Sequence, residues 1–239
     1  MIERLLKKLE LRDPLHPDER RALEGSFGRP QQVSAGTEIV AQSSSPDAST
    51  LLLEGVTGRV STLQDGSQQV TALHIGGDFV DLHSFLLRRM DHGVVALTDC
   101  ALVRMQHSRL RQLTSQYPHL GRLLWLSTLL DAAIHRQWIV GIGRRTILGN
   151  TAHLFCELFR RLQVVGLASD RDFELELNQS QLADVLGGSR ASINGAVQTL
   201  RAQGLIAWKG GCLNILDWSR LADLAEFDPT YLQLEAMPV

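Results

Sequence analysis

The sequence predicts an α+β protein in which a β-rich segment stands between helical segments. Short β-branched runs separated by turn residues fill residues 31–105. A long apolar helical pattern begins at residue 118, and two short helical patterns followed by a hairpin pattern lie near the C-terminus. With 239 residues the chain is long enough for two domains. We therefore expect a sheet domain, a connecting helix and a C-terminal domain.

The first segment, residues 1–30, is predicted to be helical. Leu5, Leu6 and Leu9 recur at helical spacing among charged residues. Pro14 interrupts this pattern, because proline cannot continue a helix interior. We expect this segment to pack on the domain that follows it.

Residues 31–117 form the predicted sheet domain. The Asp65-Gly66 pair between two β-rich runs is a strong hairpin signal. Strands this short, with turns this frequent, are typical of a sandwich or barrel. The predicted strand runs are 38–40, 50–53, 59–63, 69–74, 94–97 and 101–105.

A long helix is predicted over residues 118–143, with a hinge at Gly141 and Gly143. Its apolar side is broader than a coiled-coil seam, so the helix must bury more than one side. That burial could lie within one chain or between two chains. The main apolar stripe consists of Leu120, Leu124, Ser127, Leu130, Ile134 and Trp138.

Within the last segment, residues 144–239, the stretch from Leu177 to Gly204 reads as two short helices joined by a glycine turn. Asn178 and Ser189 are suitable N-caps for the two helices. The second helix carries one apolar stripe and an opposite stripe that is small, polar or basic. Such a surface suits the major groove of DNA, where Arg, Asn and Gln bond base edges. The alternative is a helical hairpin with a solvated face.

The residues from 205 to 215 predict a β-hairpin whose tip carries Lys209. A hairpin directly after a recognition helix acts as a wing, and Lys209 could contact a phosphate. The run GGSRASINGAVQTLRAQGLI and this wing resemble the Crp/Fnr family of transcription regulators. The candidate DNA-binding residues are Gln179, Ser180, Ser189, Arg190, Ser192, Asn194, Gln198 and Lys209.

The resemblance implies a jelly-roll-like double-sheet β-roll, a dimerisation helix and a C-terminal winged helix-turn-helix. It implies double-stranded DNA, a second copy of the chain and RNA polymerase as partners. The dimer contacts would come from the apolar stripe of the long helix. Two recognition helices about 34 Å apart would then read a near-palindrome.

The family's effector site has a recognisable cassette after a Gly-Asp-Phe turn, present here as 77–79. Asp81 stands where the family has glutamate, and Val80 replaces glycine. The arginine that would pair a cyclic phosphate is absent from the matching stretch, so we expect cyclic AMP not to be the effector. The candidate effector pocket comprises Asp81, Leu82, His83, His92 and Val94.

A metal or haem site formed by Asp81, His83 and His92 is an alternative, but their spacing is not diagnostic. Residues 1–99 contain no cysteine, which argues against the iron–sulfur cluster of some relatives. We therefore predict neither a metal nor a cofactor, and the small effector stays unidentified.

Composition sets further limits. The net charge is −2, so any DNA affinity must come from a local basic patch. The three cysteines form no CxxC pair, which favours a reducing cytoplasm. There is no run of 18 apolar residues and no signal peptide, so no membrane association is expected.

Enzyme motifs such as GxSxG, HExxH and a phosphate-binding glycine loop are absent from the sequence, so we do not expect an enzyme. The main competing hypothesis is a regulatory module that binds a cyclic nucleotide, haem or another small effector and acts through protein contacts. Ala191 and Gly195 favour it, because relatives often carry larger base-contacting residues there.

Overall fold

Two short helices open the computed structural model, which describes residues 1–87 and 89–236. Helix α1 spans Glu3–Glu10 and helix α2 spans Pro17–Glu24. Leu5 and Leu6 of α1 are buried against Leu51 and Met105 of the sheet domain. The N-terminal segment therefore packs on the β-roll, as predicted.

The β-roll consists of two antiparallel sheets that enclose a core. The order is β1-β7-β3 in one sheet and β2-β6-β4-β5 in the other. This arrangement confirms the predicted double sheet. The strands are β1 Gln31–Val33, β2 Glu38–Val40, β3 Ala48–Glu54, β4 Thr57–Thr62, β5 Gln68–His74, β6 Gly93–Ala96 and β7 Cys100–Gln106.

The predicted hairpin joins β4 to β5. Thr62 pairs with Gln68, and the turn between them holds Gly66 at a φ of 83°. A residue with a side chain is strained in that left-handed region, so the glycine is required there. A 3-10 helical turn at Leu82–Phe85 then connects the end of β5 to the region before β6.

Two helices follow the β-roll. Helix α3, His107–Gln116, was not predicted, whereas helix α4, Pro118–Arg144, matches the predicted long helix. The predicted hinge at Gly141 and Gly143 is wrong, because both glycines lie inside α4. A Cβ on Gly141 would come within 2.2 Å of Asn150 Oδ1, so this glycine permits the next helix to approach closely.

The C-terminal domain begins with helix α5, Ile147–Val165, whose cap Thr146 accepts a hydrogen bond from the Gly149 amide. Its small sheet has the order β10-β11-β9-β8. The remaining elements are β8 Ala168–Ser169, β9 Asp172–Glu174, α6 Gln179–Leu186, α7 Arg190–Ala202, β10 Ile206–Lys209, β11 Cys212–Ile215, α8 Trp218–Ala225 and a 3-10 turn Pro229–Leu232.

A buried carboxylate joins α4, α5 and the C-terminal tail. Glu157 of α5 is fully buried and accepts from Trp138 Nε1 at 3.2 Å, Arg161 Nη1 at 3.1 Å and the Tyr231 hydroxyl at 2.7 Å. Burial, followed by the charge of Glu157, raises the pKa of Tyr231 far above its usual value. The phenol thus stays a donor, and the buried Glu157 carboxylate has hydrogen-bond partners on α4, α5 and the C-terminal tail.

Helix α6 is docked on the β-roll by two amide side chains. Gln69 Nε2 of β5 donates to the Asp184 carbonyl at 2.7 Å. Gln181 Nε2 of α6 donates to the Leu97 carbonyl at 2.7 Å. The C-terminal domain therefore contacts the β-roll directly as well as through α4. Among the described residues, no helix is both long and apolar enough to cross a membrane.

Candidate nucleic-acid interface and sensor pocket

The two helices of the predicted DNA-binding motif end and begin at the residues that the sequence indicated. Asn178 Oδ1 accepts from the Gln181 amide at 3.0 Å, and Gln181 Oε1 accepts from the Asn178 amide at 2.8 Å. Gly187 ends α6 at a φ of 66°. Ser189 Oγ then accepts from the Ser192 amide at 3.1 Å and starts α7. These contacts set the angle at which α7 leaves α6.

Helix α7 separates its residues into a buried side and an exposed side. Ile193, Val197 and Leu200 pack into the core of the C-terminal domain. The exposed side carries no carboxylate along the helix, which leaves it accessible to an anionic partner. Its residues are Arg190, Ala191, Asn194, Gly195, Gln198 and Arg201.

Most of the predicted DNA-binding residues are exposed together on this surface. Ser180 and Ser192 are half-buried. Arg190 Nε donates to Ser180 Oγ at 3.1 Å, and Gln179 Nε2 donates to Asn194 Oδ1 at 3.2 Å. Neutral hydroxyl and amide partners of this kind can be exchanged for base or phosphate atoms. We call Gln179, Arg190, Asn194, Gln198 and Lys209 the recognition surface.

The hairpin after α7 has the form of the predicted wing. Residues 206–209 pair with residues 212–215, and Gly210 and Gly211 both have positive φ. Lys209 is exposed at the end of the first strand. Arg201 instead turns toward the wing and donates to the Trp208 carbonyl. The wing is therefore fixed relative to α7, with Lys209 free to meet a phosphate.

Asp81, predicted as an effector contact, is a structural residue of the β-roll. It is fully buried and accepts from the Thr50 amide at 2.5 Å. Burial raises the pKa of Asp81 to about 7, against the opposing effect of the Thr50 hydrogen bonds. The carboxyl is thus hydrogen-bonded to strand β3, and its assignment to the effector pocket stays a prediction.

The other predicted pocket residues separate into two groups. Leu82 and the half-buried His83 line a cleft between the β-roll, α1, α4 and α5. His92 is buried immediately before β6. Val94 is also buried, but it packs in the core of the roll with Val40 and Leu52, so it does not face the cleft.

A buried charge network that the sequence did not reveal connects the β-roll with α4. Arg59 of β4 donates to Asp131 Oδ2 of α4 at 2.9 Å and lies 2.9 Å from His135 Nε2. His74 Nε2 lies 3.5 Å from the same guanidinium, and its Nδ1 is 3.2 Å from Thr57 Oγ1. We call Arg59, His74, Asp131 and His135 the sensor interior.

The pKa values in the sensor interior show which charges are present. Burial alone would raise the pKa of Asp131, but the charge of Arg59 outweighs it and the pKa falls to about 2. Burial and then Arg59 lower the pKa of His74 well below its usual value. The network at neutral pH is therefore one guanidinium, one carboxylate and neutral imidazoles, with no net charge.

Two family models match separate parts of the chain. Residues 30–117 match the model of the cyclic nucleotide-binding domain, and residues 151–224 match that of the Crp-like helix-turn-helix domain. The chain belongs to the Crp/Fnr family. Members of this family are transcription regulators and not enzymes.

Individual members of the Crp/Fnr family are similar over most of their length. The transcriptional activator protein FnrL of Cereibacter sphaeroides is 27% identical over 204 residues, which cover 83% of this chain and 81% of that protein. The nitrogen fixation regulation protein FixK of Bradyrhizobium diazoefficiens is 24% identical over 204 residues, 83% of each chain. The structure of FixK2 from Bradyrhizobium japonicum has a TM-score of 0.75 at 21% identity, covering 82% of this chain and 96% of that one, and shows the same fold.

This Crp/Fnr chain carries a buried arginine on β4 and not on the strand of the family's cassette. Arg59 lies in the run Thr-Gly-Arg-Val-Ser. A charged residue between β-branched residues was the sequence signal that could have pointed to it. Asp131 and His135 are four residues apart and so share one side of α4. The sequence could not show that this side faces β4, because pairing between distant elements depends on the fold.

Proposed function

We propose that this protein is a homodimeric transcription regulator that reads DNA with α7 and works without cyclic AMP. The recognition surface carries this proposal. It places an arginine, three amides and the lysine of the wing on one exposed side of a helix-turn-helix. Bidentate arginine and amide contacts discriminate base pairs in the major groove, and the lysine adds a phosphate contact.

Independence from cyclic AMP is supported by the charges inside the β-roll. A buried phosphate needs a cation or several donors to replace water. Arg59 is already neutralised by Asp131 at 2.9 Å, and Asp81 is engaged by Thr50. Binding a cyclic phosphate at Arg59 would thus require the ion pair with α4 to break. We expect such binding to be weak.

The dimer contact that we propose lies on the side of α4 that its own chain leaves uncovered. At 100° per residue, Trp125, Leu129, Ile139 and Val140 fall on one side of the helix, and all four are exposed. The apolar stripe that the sequence indicated lies on the opposite side of α4 and packs on its own chain. Its buried members are Leu120, Leu124 and Trp138. Its half-buried members are Ser127, Leu130 and Ile134. We therefore place the interface on the Trp125 side.

Sedimentation of two matched variants tests this placement. Leu129 is 51% exposed on the proposed side, whereas the adjacent Leu130 lines the internal cleft. Leu129→Glu should place a charge in the seam and shift the protein to monomers at low micromolar concentration. Leu130→Glu should instead destabilise each chain. A dimeric Leu129→Glu protein would contradict the proposed interface.

Selection from a randomised DNA duplex tests the function itself. The untagged full-length protein should enrich near-palindromes with half-sites about one helical turn apart, without nucleotide. Gel shifts on the enriched DNA, with and without about 100 µM cyclic AMP, should give the same affinity within about twofold. The relatives are named as activators, so we also propose RNA polymerase as a partner of the DNA-bound dimer.

Two results would overturn the proposal in different ways. Failure to enrich any sequence, with a correctly folded dimer, would favour a regulatory module that acts through protein contacts. Saturable binding of cyclic AMP together with tighter DNA binding would show that the nucleotide is the effector after all. A parallel titration at two salt concentrations separates specific from purely electrostatic binding.

A further inference from the structure

Three side chains that can bind a metal ion come together between the 3-10 turn and β6. His83 belongs to the 3-10 turn, whereas Asp91 and His92 directly precede β6. Each side chain offers one ligand atom, and the three ligand atoms lie within 4.8 Å of one another. The two imidazole rings are 5.0 Å apart between centroids. The turn and the strand therefore bring together two nitrogen ligands and one carboxylate.

Both histidines have a buried nitrogen without a partner. Nε2 of His83 and Nε2 of His92 are inaccessible to solvent and make no hydrogen bond. The whole His92 residue is only 6% exposed. Buried polar atoms in proteins nearly always have a partner, and those without one call for an explanation such as an ion. Because the two rings lie close together, one cation bound by both nitrogens would account for both.

Asp91 prepares His92 to act as a ligand. Its Oδ1 lies 2.8 Å from Nδ1 of His92. When Nδ1–H donates to this carboxylate, the lone pair of the ring is on Nε2, the atom without a partner. A carboxylate that holds the far nitrogen of an imidazole in this way is the usual support of metal-bound histidine. Its negative charge also offsets part of the charge of a dication.

We propose that His83 and His92 bind one divalent transition-metal ion of the zinc or ferrous-iron type through their Nε2 atoms, with Asp91 as the support of His92. Imidazole nitrogens with a supporting carboxylate suit these ions, whereas Mg²⁺ and Ca²⁺ prefer sites made of oxygen atoms. Two ligands bound at about 2.1 Å from one ion lie at most about 4.2 Å apart, so small side-chain rotations complete the site.

The site that the structure indicates differs from the group that the sequence suggested. Asp81 is held by Thr50 and takes no part. Asp91 supplies the carboxylate, next to His92 in the chain and eight residues after His83. A bound ion would tie the 3-10 turn to the start of β6, two elements between which Leu86 and Leu87 are exposed and Met90 is buried.

The first measurement is metal binding by the full chain without a histidine tag. Dialysis against Zn²⁺ followed by elemental analysis should give one equivalent per chain. Titration with Co²⁺ should give a ligand-field spectrum typical of nitrogen and oxygen ligands, and Mg²⁺ should not compete. Less than a tenth of an equivalent of Zn²⁺ or Co²⁺ would overturn the proposal.

Matched variants assign the ion to this site. His83→Gln, His92→Gln and Asp91→Asn should each weaken Co²⁺ binding by at least about tenfold, in the range found when supporting groups of metal sites are lost. The control is His16→Gln, because the side chain of His16 is 73% exposed and His16 is distant in sequence from the proposed metal site. Equal losses in the control and in the His83 variant would contradict the assignment.

A spectroscopic readout on the unaltered protein covers the case in which the buried His92 variant fails to fold. Nitrogen-15 spectra of the imidazoles should show Zn²⁺-dependent shifts for two of the eight histidines, assigned to His83 and His92 by the His83→Gln spectrum. Shifts confined to other histidines, or none at saturating Zn²⁺, would overturn the proposal. This result does not depend on whether the protein binds DNA.

Discussion

On the recognition surface, Arg190, Asn194 and Gln198 stand exposed, whereas in the sensor interior Arg59 and His74 are buried and paired. The hydrogen-bond partners of Arg190 and Asn194 are neutral groups that a nucleic acid can replace. Arg59 forms an ion pair with Asp131, and the two charges cancel. We conclude that polar residues on α7 are available for binding, while those between β4 and α4 first of all stabilise the fold.

Loss of one partner in the sensor interior gives the largest expected effect. Arg59→Ala leaves the Asp131 carboxylate beside neutral imidazoles without its cation. Breaking a buried ion pair from one side is strongly destabilising, so we expect the free energy of unfolding to fall by about 3 kcal/mol. The urea midpoint of unfolding measures this.

The control for Arg59 removes both charges. The double variant Arg59→Met with Asp131→Leu replaces the pair by apolar side chains of similar volume, and such replacements are often neutral. It should recover most of the lost stability. If the double variant is as unstable as Arg59→Ala, packing and not charge is what Arg59 contributes.

Substitutions on the recognition surface should change DNA binding and leave the stability of the fold almost unchanged. Arg190→Ala should leave stability within about 0.5 kcal/mol, because an exposed side chain away from the core contributes little to folding. On the selected DNA it should cost about 1–3 kcal/mol of sequence discrimination. Competition gel shifts with specific and random duplexes measure this; equal losses on both would show that Arg190 does not contact a base.

A third test concerns the buried His153 of α5. Burial, followed by the charge of Arg145, lowers the pKa of His153 from its usual 6.5 to about 4. The folded state therefore needs the neutral ring, so its contribution is present above pH 6.5 and is lost as the pH falls toward 4. Between pH 7 and pH 5 we expect a loss of about 2 kcal/mol.

Paired unfolding curves isolate the part due to His153. His153→Gln keeps a polar side chain that does not titrate, so its stability should change less between pH 7 and pH 5 than that of the unaltered protein. The exposed His16→Gln serves as the control and should keep the full pH dependence. An unchanged slope for His153→Gln would show that burial of this ring does not cause the loss of stability in acid.

The smallest expected effect is that of Lys209 on the wing. Lys209→Ala should weaken binding to all sequences alike by less than about 1 kcal/mol and lower the slope of affinity against salt by about one. This separates a phosphate contact from the base contact of Arg190. A change in sequence preference with an unchanged salt slope would reverse the two roles.

Helices and strands could be predicted from local sequence patterns. The pairing of elements that are distant in the chain could not. The strands, the caps Asn178 and Ser189 and the wing follow from turn residues and periodicity, which act within a few residues. Helix α3 was missed, because His107–Gln116 has a weak apolar pattern of two buried leucines. The sequence does show the two sides of α4, but both are apolar, so only the packed chain reveals which one stays uncovered.

The candidate sites divide along the same line. The exposed residues of α7 were predicted, since a helix face can be derived from its period. Arg59 and Asp131 were missed, because each depends on a partner on a different element. The contact of Asp81 with Thr50 was also not predicted, because Thr50 lies 31 residues away.

The carboxylate of Glu157 makes this chain hard to divide. A fragment that begins at residue 144, the predicted domain boundary, keeps Glu157 but lacks Trp138, which donates to it. It also keeps Arg161 but lacks Asp78, its partner at 3.0 Å. Such a fragment exposes to water a carboxylate and a guanidinium that the whole chain buries. DNA affinities measured on an excised C-terminal domain would therefore describe a differently packed protein, and exchanges of domains between relatives should carry α4 and α5 together.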